Sequence, residues 1–493
     1  MFAKRAQVIL KVAVFLVLTI ILINPIPARS AETSGQTVTS DTACRFAVNA
    51  PLPTDGYDIA SLKAASLLDW QAVTNPSLPA GVEYIRVLRL RDDLYPTTLA
   101  NLPGWVDANP GSVWIVGNEP DTTYGYQDAL LAEVYAERYF ELARIIRQHD
   151  RLAQIAFGPI VQPTPLRIRY LQKAWNSLVA DAGGVKAASE LVDIWSPHSF
   201  ILNEQESGWG TGIPPGFEND HDDAFIITLP EQITYTYSID IFQQRIINFR
   251  LWMASIGERN KPLWITEYGS LFPPIDPPEG PDFYNVGDYE TALFMWNSFD
   301  FLNTASDHLS GMPGDNNQLV QRWFWYSLND NRWHYGGTLF DPDNNRIRTL
   351  VGLNYIGYQD ENLVQPDLLP TGITITPLTY NGDRTLVNYL LNVTVDNNQF
   401  DDASCGQLSI YNGDPEAGGT LIAGPLLSSA FHPNNGTALV PALWKDVQPL
   451  TLYTLYACVE SIGIADTDPS NNCAGFTVNT TLPKLTVLPI AVR

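Results

Sequence analysis

The stretch "SVWIVGNEPD" (112–121) joins a short apolar run to a polar end. Residues 113–116 are typical of a strand that is buried on both faces, as parallel strands are. Pro120 cannot donate a hydrogen bond to a sheet ladder, so the strand has to stop before it. Asn118 and Glu119 are therefore expected at the carboxyl end of a buried strand, which is the end where α/β folds bind ligands.

Length, composition and charge limit the class of protein. The chain has 493 residues, and its 45% hydrophobic content, with 11% aromatic residues, is enough for a sizeable core in two or three domains. A formal net charge of -24 argues against nucleic-acid binding and against polyanionic substrates. The net charge does not argue against neutral polymers as partners. We expect no cofactor and no metal, because the chain has no phosphate-binding glycine loop and no histidine-rich cluster.

The N-terminus has the layout of a secretory signal peptide. A basic start is followed by an apolar stretch (8–23), and the small residues Ala28 and Ser30 precede a cleavage point before Ala31. We expect residues 1–30 to be removed and the rest of the chain to be secreted or extracellular. Location at the cell surface is the alternative. An uncleaved membrane anchor is the competing interpretation, since the apolar stretch is long. A membrane is expected as a partner only in that case.

Four cysteines remain after export, and an even number in an exported chain favours disulfides. Their spacing matches no zinc pattern. Cys458 is placed to pair with Cys473 or with Cys405, and the sequence leaves this choice open.

Between about residues 44 and 365, strand-like runs alternate with helical patterns. The predicted strands cover 45–50, 83–90, 112–119, 154–161, 192–200, 262–270 and 321–328, with a short one near 69–71. The best helical patterns lie at 128–150 and 237–258. This alternation predicts an α/β fold, a (β/α)8 or TIM barrel over residues 31–368, with a doubly wound open sheet as the alternative. Trp209 and Tyr284 lie in long loops that are expected to wall a cleft.

The C-terminal part has a different character. From about residue 373, short alternating segments are separated by Gly, Asn and Asp turns, which predicts an all-β, immunoglobulin-like sandwich over 369–493. The segments "NVTVDNNQFDDASCGQLSIY" (392–411) and "DTDPSNN" (466–472) resemble CARDB-type adhesion modules. The resemblance implies either a structural appendage or a carbohydrate-binding module.

A second carboxylate follows the strand "PLWITEYGS" (262–270). Glu267 ends this strand in the way that Glu119 ends its own, three strand–helix units earlier. In a barrel of eight units such positions can face each other across the mouth. Two carboxylates across a cleft can break an acetal, because one protonates the leaving oxygen while the other attacks the anomeric carbon or activates water. The alternative is that each glutamate only forms a salt bridge, with Arg86, Arg89 or Arg91 as partners.

These motifs resemble clan A glycoside hydrolases, which are retaining (β/α)8 enzymes. "GNEPD" (117–121) and "LLDWQAV" (67–73) are similar to the "FNEPD" and "YNWG" motifs of endo-β-1,3-glucanase-type members. The resemblance covers about residues 45–360. It implies a polysaccharide or oligosaccharide substrate, with Glu119 as acid/base, Glu267 as nucleophile and Asn118 as a hydrogen-bond partner of the sugar. A non-catalytic carbohydrate-binding or adhesion protein on the same barrel is the alternative, and we expect a monomer in either case.

The two glutamates need opposite environments. Burial and like charge are expected to favour the protonated form of Glu119. Glu267 has to stay ionised, so it needs hydrogen-bond donors, and Tyr268 or Arg89 would supply them.

Three further residues are candidates for contacts with substrate. His198 ends its own strand in "WSPHSF" and is expected to contact a ligand; members of the clan often place a tyrosine near here, where this chain has Phe200. Trp323 and Trp325 alternate along the last strand. If Phe324 faces the helices, both tryptophans point inward and form a stacking platform for sugar rings.

Overall fold

The structure is a computed structural model, and it describes residues 45–79, 81–123, 125–205, 210–220, 222–272, 288–330, 335–362, 365–381, 385–398, 406–428, 437–461 and 465–483. The predicted signal peptide (1–30), Cys44, Trp209, Tyr284 and Cys405 lie outside the described residues. Among the described helices, none combines the length and apolarity that a bilayer crossing requires.

Eight parallel strands form a nearly closed barrel, which confirms the predicted (β/α)8 class. They are β1 (Phe46–Asn49), β2 (Ser66–Asp69), β3 (Glu83–Leu88), β4 (Val113–Val116), β5 (Gln154–Phe157), β6 (Ile194–Trp195), β7 (Trp264–Tyr268) and β8 (Arg322–Trp325). Their order in the sheet is β6-β5-β4-β3-β2-β1-β8-β7. The two end strands also meet, because Trp195 N donates to Pro262 O at 3.0 Å and Thr266 N to Pro197 O at 3.1 Å.

Helices alternate with most of the strands, and those predicted at 128–150 and 237–258 are among them. The described helices of the barrel are α1 (Tyr95–Ala108), α2 (Ala132–His149), α3 (Pro165–Ala182), α4 (Val185–Ser189), α5 (Leu229–Tyr235), α6 (Ile239–Ser255), α7 (Asp288–Thr304) and α8 (Leu350–Asn362). Helix α3 begins in the expected way, since the side chain of Thr164 accepts a hydrogen bond from Arg167 N and Pro165 takes the first helical position.

The barrel has two layers of buried side chains. An inner cluster takes at least one residue from every strand: Ala47, Leu68, Ile85, Val87, Val113, Ile115, Ala156, Ile194, Trp264 and Phe324. The alternate residues of the same strands pack outward against the helices in a larger cluster. Both faces of the strands are therefore buried, as the apolar runs of the sequence predict.

Strand β7 carries a bulge that matters for the site. It pairs Ile265 with Trp323 but Tyr268 with Trp325, so β7 advances three residues while β8 advances two. The extra residue reverses the alternation of side chains beyond it. As a result Glu267 turns to the inside of the barrel and Tyr268 to the outer layer.

The C-terminal region is an antiparallel sandwich, as predicted. Strands β9 (Phe340–Asp341) and β10 (Ile347–Arg348) form a small hairpin before α8. The sandwich strands are β11 (Leu368–Tyr380), β12 (Val387–Asn397), β13 (Gly406–Asn412), β14 (Thr420–Ser428), β15 (Thr437–Val447), β16 (Leu452–Ser461) and β17 (Cys473–Asn479). One sheet has the order β11-β12-β15 and the other β14-β13-β16-β17, around a core of its own. Cys458 and Cys473, which face each other on β16 and β17, form a disulfide.

Candidate active site

Glu119 is presented by a left-handed turn at the carboxyl end of β4. Gly117 has φ +97°, and a Cβ added there would lie 3.0 Å from the ring of Tyr135, so this position requires glycine. Glu119 itself has φ +45°, which is uncommon for a residue with a side chain. Its backbone N–H donates to Pro159 O at 2.9 Å, and only 5% of the residue is exposed. The turn therefore fixes a carboxyl group at the mouth of the barrel.

Asp128 holds the flanks of this turn. Its carboxylate accepts hydrogen bonds from Asn118 N at 2.7 Å, from Leu90 N at 3.0 Å and from Arg89 Nε at 3.0 Å. The side-chain amide of Asn118 donates to Gln127 at 2.6 Å. Asn118 thus precedes Glu119 in a turn that Asp128 holds, and Arg89 pairs with Asp128 rather than with either glutamate.

Glu267 enters the same space from β7 because of the bulge. Its Oε1 accepts a hydrogen bond from Trp70 Nε1 at 2.7 Å, and 5% of the residue is exposed. Burial raises its pKa to about 7, and the charge of Glu119 adds to the rise; His198, Trp70 and Arg89 act in the opposite direction. The donor predicted from Tyr268 is in fact Trp70.

His198 lies between the two carboxylates. Its Nδ1 is 2.9 Å from Glu119 Oε1 and its Nε2 is 3.5 Å from Glu267 Oε1. The ring is 2% exposed, and the backbone N–H of His198 donates to Ile160 O at 2.8 Å. Burial alone would lower the pKa of this imidazole, but Glu267 and Glu119, with Asp121 behind them, outweigh burial and raise it. A doubly protonated ring can donate one N–H to each carboxylate.

The same three side chains are of the kinds that bind metal ions, and one donor atom from each lies within 4.8 Å of the others. However, a histidine that ligates a metal directs one nitrogen to the ion and the other to a supporting acceptor. Here the two nitrogens of His198 face different carboxylates, so only Nε2 and Glu267 would converge on an ion. The arrangement fits shared protons better than a metal.

An aromatic cluster, formed by Trp70, Phe200, Tyr326 and Tyr335, borders the two glutamates. Tyr326 contacts three of these rings edge to face, with centroids 5.8 Å from Trp70, 5.7 Å from Phe200 and 5.9 Å from Tyr335. Tyr326 was not among the residues singled out in the sequence. Its position two residues after Phe324 indicates an inward side chain only once Phe324 is known to face the inside of the barrel.

The structure does not bring Tyr268, Trp323 or Trp325 to the two glutamates, because these side chains lie in the outer layer. The hydroxyl of Tyr268 is 3.4 Å from Ser298 Oγ, between the barrel and α7. Trp325 donates its Nε1 proton to Gly337 O at 2.7 Å, and Trp323 packs on Phe46 with centroids 4.9 Å apart. Phe324 belongs to the inner cluster, so the facing of β8 is the reverse of the one assumed.

The environment of Glu267 also differs from the expected one. Glu267 was expected to be ionised, whereas burial at the end of β7 raises its pKa to about 7. The salt-bridge alternative is not what the described residues form. Arg89 pairs with Asp128 and Arg91 with Asp93, while Arg86 donates to Asn109 and Ser112. The partner of both glutamates is His198.

No protein-family model matches the chain, and neither does any curated protein sequence. Among solved structures, the chain is similar to a GH128 (subgroup VII) oligosaccharide-binding protein from Cryptococcus neoformans, with 13% identity, 66% of this chain and 96% of that chain covered, and a TM-score of 0.39. A glucosidase from Croceicoccus marinus matches with 9% identity, 91% and 95% coverage and a TM-score of 0.40.

The catalytic domain of GH30 xylanase C from Talaromyces cellulolyticus matches with 10% identity, 86% and 97% coverage and a TM-score of 0.34. The ligands and substrates of these three proteins are not assigned to this chain.

Proposed function

We propose that the chain is an exported glycoside hydrolase that cleaves β-linked polysaccharide by a retaining double displacement. The observation that carries the proposal is the pair of buried carboxyl groups of Glu119 and Glu267, which approach within 4.8 Å at the mouth of the barrel. Retaining glycosidases hold their two carboxyl groups about 5 Å apart, whereas inverting enzymes need about 6.5–9.5 Å to admit a water molecule. An approach of one oxygen from each carboxyl group to within 4.8 Å supports the retaining alternative.

The role of each glutamate follows from the resemblance to clan A glycoside hydrolases. The proton that Glu119 shares with Nδ1 of His198 passes through Glu119 to the glycosidic oxygen as the bond from that oxygen to the anomeric carbon breaks. A carboxylate oxygen of Glu267 forms the new bond to the anomeric carbon. In the second step Glu119 takes a proton from water, the water oxygen attacks the anomeric carbon, and the ester bond to Glu267 breaks.

Two donors favour the ionised form of Glu267 that the first step needs. Trp70 donates to it at 2.7 Å, and the Nε2 of His198 lies 3.5 Å away. Because the pKa of Glu267 is about 7, the ionised fraction rises as the pH increases through neutrality. We therefore expect the acidic limb of kcat/KM near pH 7, above the usual range of a glutamate.

One observation favours a second candidate, a non-catalytic carbohydrate-binding protein. With a pKa of about 7, Glu267 is protonated in a large share of molecules at neutral pH, and a protonated carboxyl can bind a sugar hydroxyl but cannot attack carbon. Release of reducing sugar from β-glucans, xylan and mannan, measured beside a pull-down on the same polymers, separates the two. Binding without release by the wild type supports the second candidate.

The stereochemistry of azide rescue tests the two catalytic roles. Glu267→Gly leaves space beside the anomeric carbon, so azide is expected to attack a β-linked substrate directly and give the α-glycosyl azide. Glu119→Ala is expected to form the covalent intermediate from a dinitrophenyl glycoside, and azide then gives the β-glycosyl azide. A β-azide from the Glu267 variant would reverse the assignment, and an inverted product from the wild type would exclude retention.

A further inference from the structure

Four charged side chains are buried behind the loops that follow β4, β5 and β6. Asp121, Arg167 and Glu204 are 0% exposed and Arg245 is 6% exposed, and we call these four residues the buried charge cluster. Two are acidic and two are basic. Burying such groups is costly, and apolar residues of similar volume often stabilise a fold as well or better. A cluster of this kind at the mouth of the barrel therefore calls for a reason other than stability.

Arg167, at the start of α3, is the centre of this cluster. Its Nη1 donates to Asp121 O at 2.7 Å and its Nε to Glu204 Oε1 at 2.7 Å. Its Nη2 donates to Thr211 Oγ1 at 2.8 Å and to Gly212 O at 2.7 Å. One guanidinium thus ties the loop after β4 to two parts of the loop after β6.

The cluster reaches the residues next to Glu119 and His198. Asp121 is two residues after Glu119, and its carboxylate accepts from Val161 N at 3.1 Å, next to Ile160, whose carbonyl receives the backbone N–H of His198. Arg245 donates to Phe200 O at 2.6 Å, two residues after His198. The backbone that follows Glu119 and the backbone that follows His198 are therefore both held by residues of the buried charge cluster.

The backbone at Glu119 needs such support. A residue with a side chain at φ +45° persists only where its surroundings over-determine it. We propose that Arg167 is a positioning residue, which holds the turn after β4 through Asp121 and so keeps the Glu119 carboxylate against Nδ1 of His198. Its effect on turnover rests on the proposed function, whereas its effect on the Glu119–His198 contact does not.

Arg250 provides a matched control. It is also 0% exposed, but it lies in α6 near the amino ends of β7 and β8, where it donates to Lys261 O at 3.0 Å and to Leu319 O and Gln321. No carboxylate is among these partners. Arg250→Lys therefore perturbs a buried arginine of the same barrel without touching the buried charge cluster.

The first test follows the imidazole of His198 by ¹⁵N NMR titration of the full chain, with the signal assigned from a His198→Asn variant. The groups that face this imidazole are Glu119, Glu267 and Asp121. Arg167→Lys keeps the positive charge but cannot hold all the partners of the guanidinium. We expect the pKa of His198 to fall by about half a unit to one unit, since loss of a hydrogen bond to a charged group is worth that much or more.

Arg250→Lys is expected to leave the titration of His198 unchanged. The inference is overturned if Arg167→Lys leaves it unchanged too, or if both variants shift it equally. Should circular dichroism show that Arg167→Lys does not fold, Glu204→Gln decides the question, because it weakens the bond from Arg167 Nε by removing the negative charge of its acceptor while leaving Asp121 in place. A smaller shift in the same direction supports the inference, and no shift refutes it.

The second test compares two leaving groups. If Arg167 positions the acid Glu119, Arg167→Lys lowers kcat/KM about 10- to 100-fold for a substrate whose leaving group is a sugar. For a 2,4-dinitrophenyl glycoside, whose leaving group needs no proton, the loss is less than about threefold. Equal losses on both substrates would mean that Arg167 only stabilises the fold. If the wild type hydrolyses neither substrate, the proposed function fails, and the NMR test still decides the role of Arg167.

Discussion

Glu119 and Glu267 meet at one histidine, but the chain brings them there in different ways. After β4, two left-handed residues, Gly117 and Glu119, turn the backbone into the mouth of the barrel. In β7 the strand continues, and one extra residue re-aims Glu267. The turn after β4 strains the backbone and is held by the buried charge cluster. The bulge in β7 is held by the hydrogen bonds of the sheet. The ends of two barrel strands can therefore place carboxyl groups in the same site although their local backbone structures differ.

The strongest way to separate the two strand ends is to remove each carboxylate. Glu119→Gln and Glu267→Gln are each expected to lower turnover of a polysaccharide by about 10³-fold or more, since general acid catalysis alone contributes about 10²–10⁴-fold. On a dinitrophenyl glycoside only the Glu267 variant is expected to lose formation of the glycosyl-enzyme, which burst kinetics measure.

Tyr268→Phe is the control for this experiment, because Tyr268 is next to Glu267 in sequence but faces Ser298 in the outer layer. It is expected to keep wild-type turnover within about threefold. A Glu267→Gln enzyme that retains its burst would assign the nucleophile to another residue.

The donor to Glu267 offers a smaller but sharper test. Trp70→Phe keeps an aromatic ring and removes the hydrogen bond at 2.7 Å to Glu267. This bond favours the ionised carboxylate, so its loss raises the pKa of Glu267 above about 7, and the acidic limb of kcat/KM moves to higher pH by about one unit. Activity therefore falls most below neutrality and recovers in alkaline buffer.

Trp252→Phe is the matched control, since Trp252 Nε1 donates to Gln172 at 2.7 Å outside the barrel. Its pH profile is expected to follow that of the wild type. An acidic limb that stays in place in Trp70→Phe, or moves to lower pH, would contradict the role given to this bond.

The smallest effect on activity is expected from the outer face of β8. Trp325→Phe removes the hydrogen bond to Gly337 O and leaves space next to α7, so the free energy of unfolding should fall by about 1–3 kcal/mol. KM and kcat are expected to stay within about threefold of wild type. A rise in KM of tenfold or more would return Trp325 to the substrate side of the barrel.

The fold was largely predictable from the sequence because each barrel strand is buried on both faces and separated from the next by connecting segments of the expected length. Periodicity also placed the helices at 128–150 and 237–258. The sandwich followed from its short alternating segments. In each case a pattern that extends over many residues carried the prediction.

Whether an individual side chain points into the barrel or towards the helices was less predictable. Along β8, residues 323–325 are all aromatic, so alternation defines two faces without saying which one is inside. Packing against α7 decides this, and the sequence does not contain that contact. In β7 the predicted alternation fails at one residue, because a bulge depends on pairing with the neighbouring strand.

The candidate site was predicted in part. Glu119, Glu267 and His198 come together from three strand ends, and each of them ends an apolar run in the sequence. Trp70 was visible in "LLDWQAV" but had no chemical role until Glu267 was placed beside it. The charge state of Glu267 could not be predicted, since it depends on how far β7 carries the carboxyl group from water.

The left-handed backbone at Glu119 lowers the stability of the fold as long as this position carries a side chain. Glycine adopts this conformation without the cost of roughly 1–2 kcal/mol that a side chain incurs there. On the proposed function, a library selected only for survival at high temperature would therefore favour glycine at position 119 and lose activity on polysaccharide. On the same proposal, the glutamate at this position serves the reaction at a cost in stability.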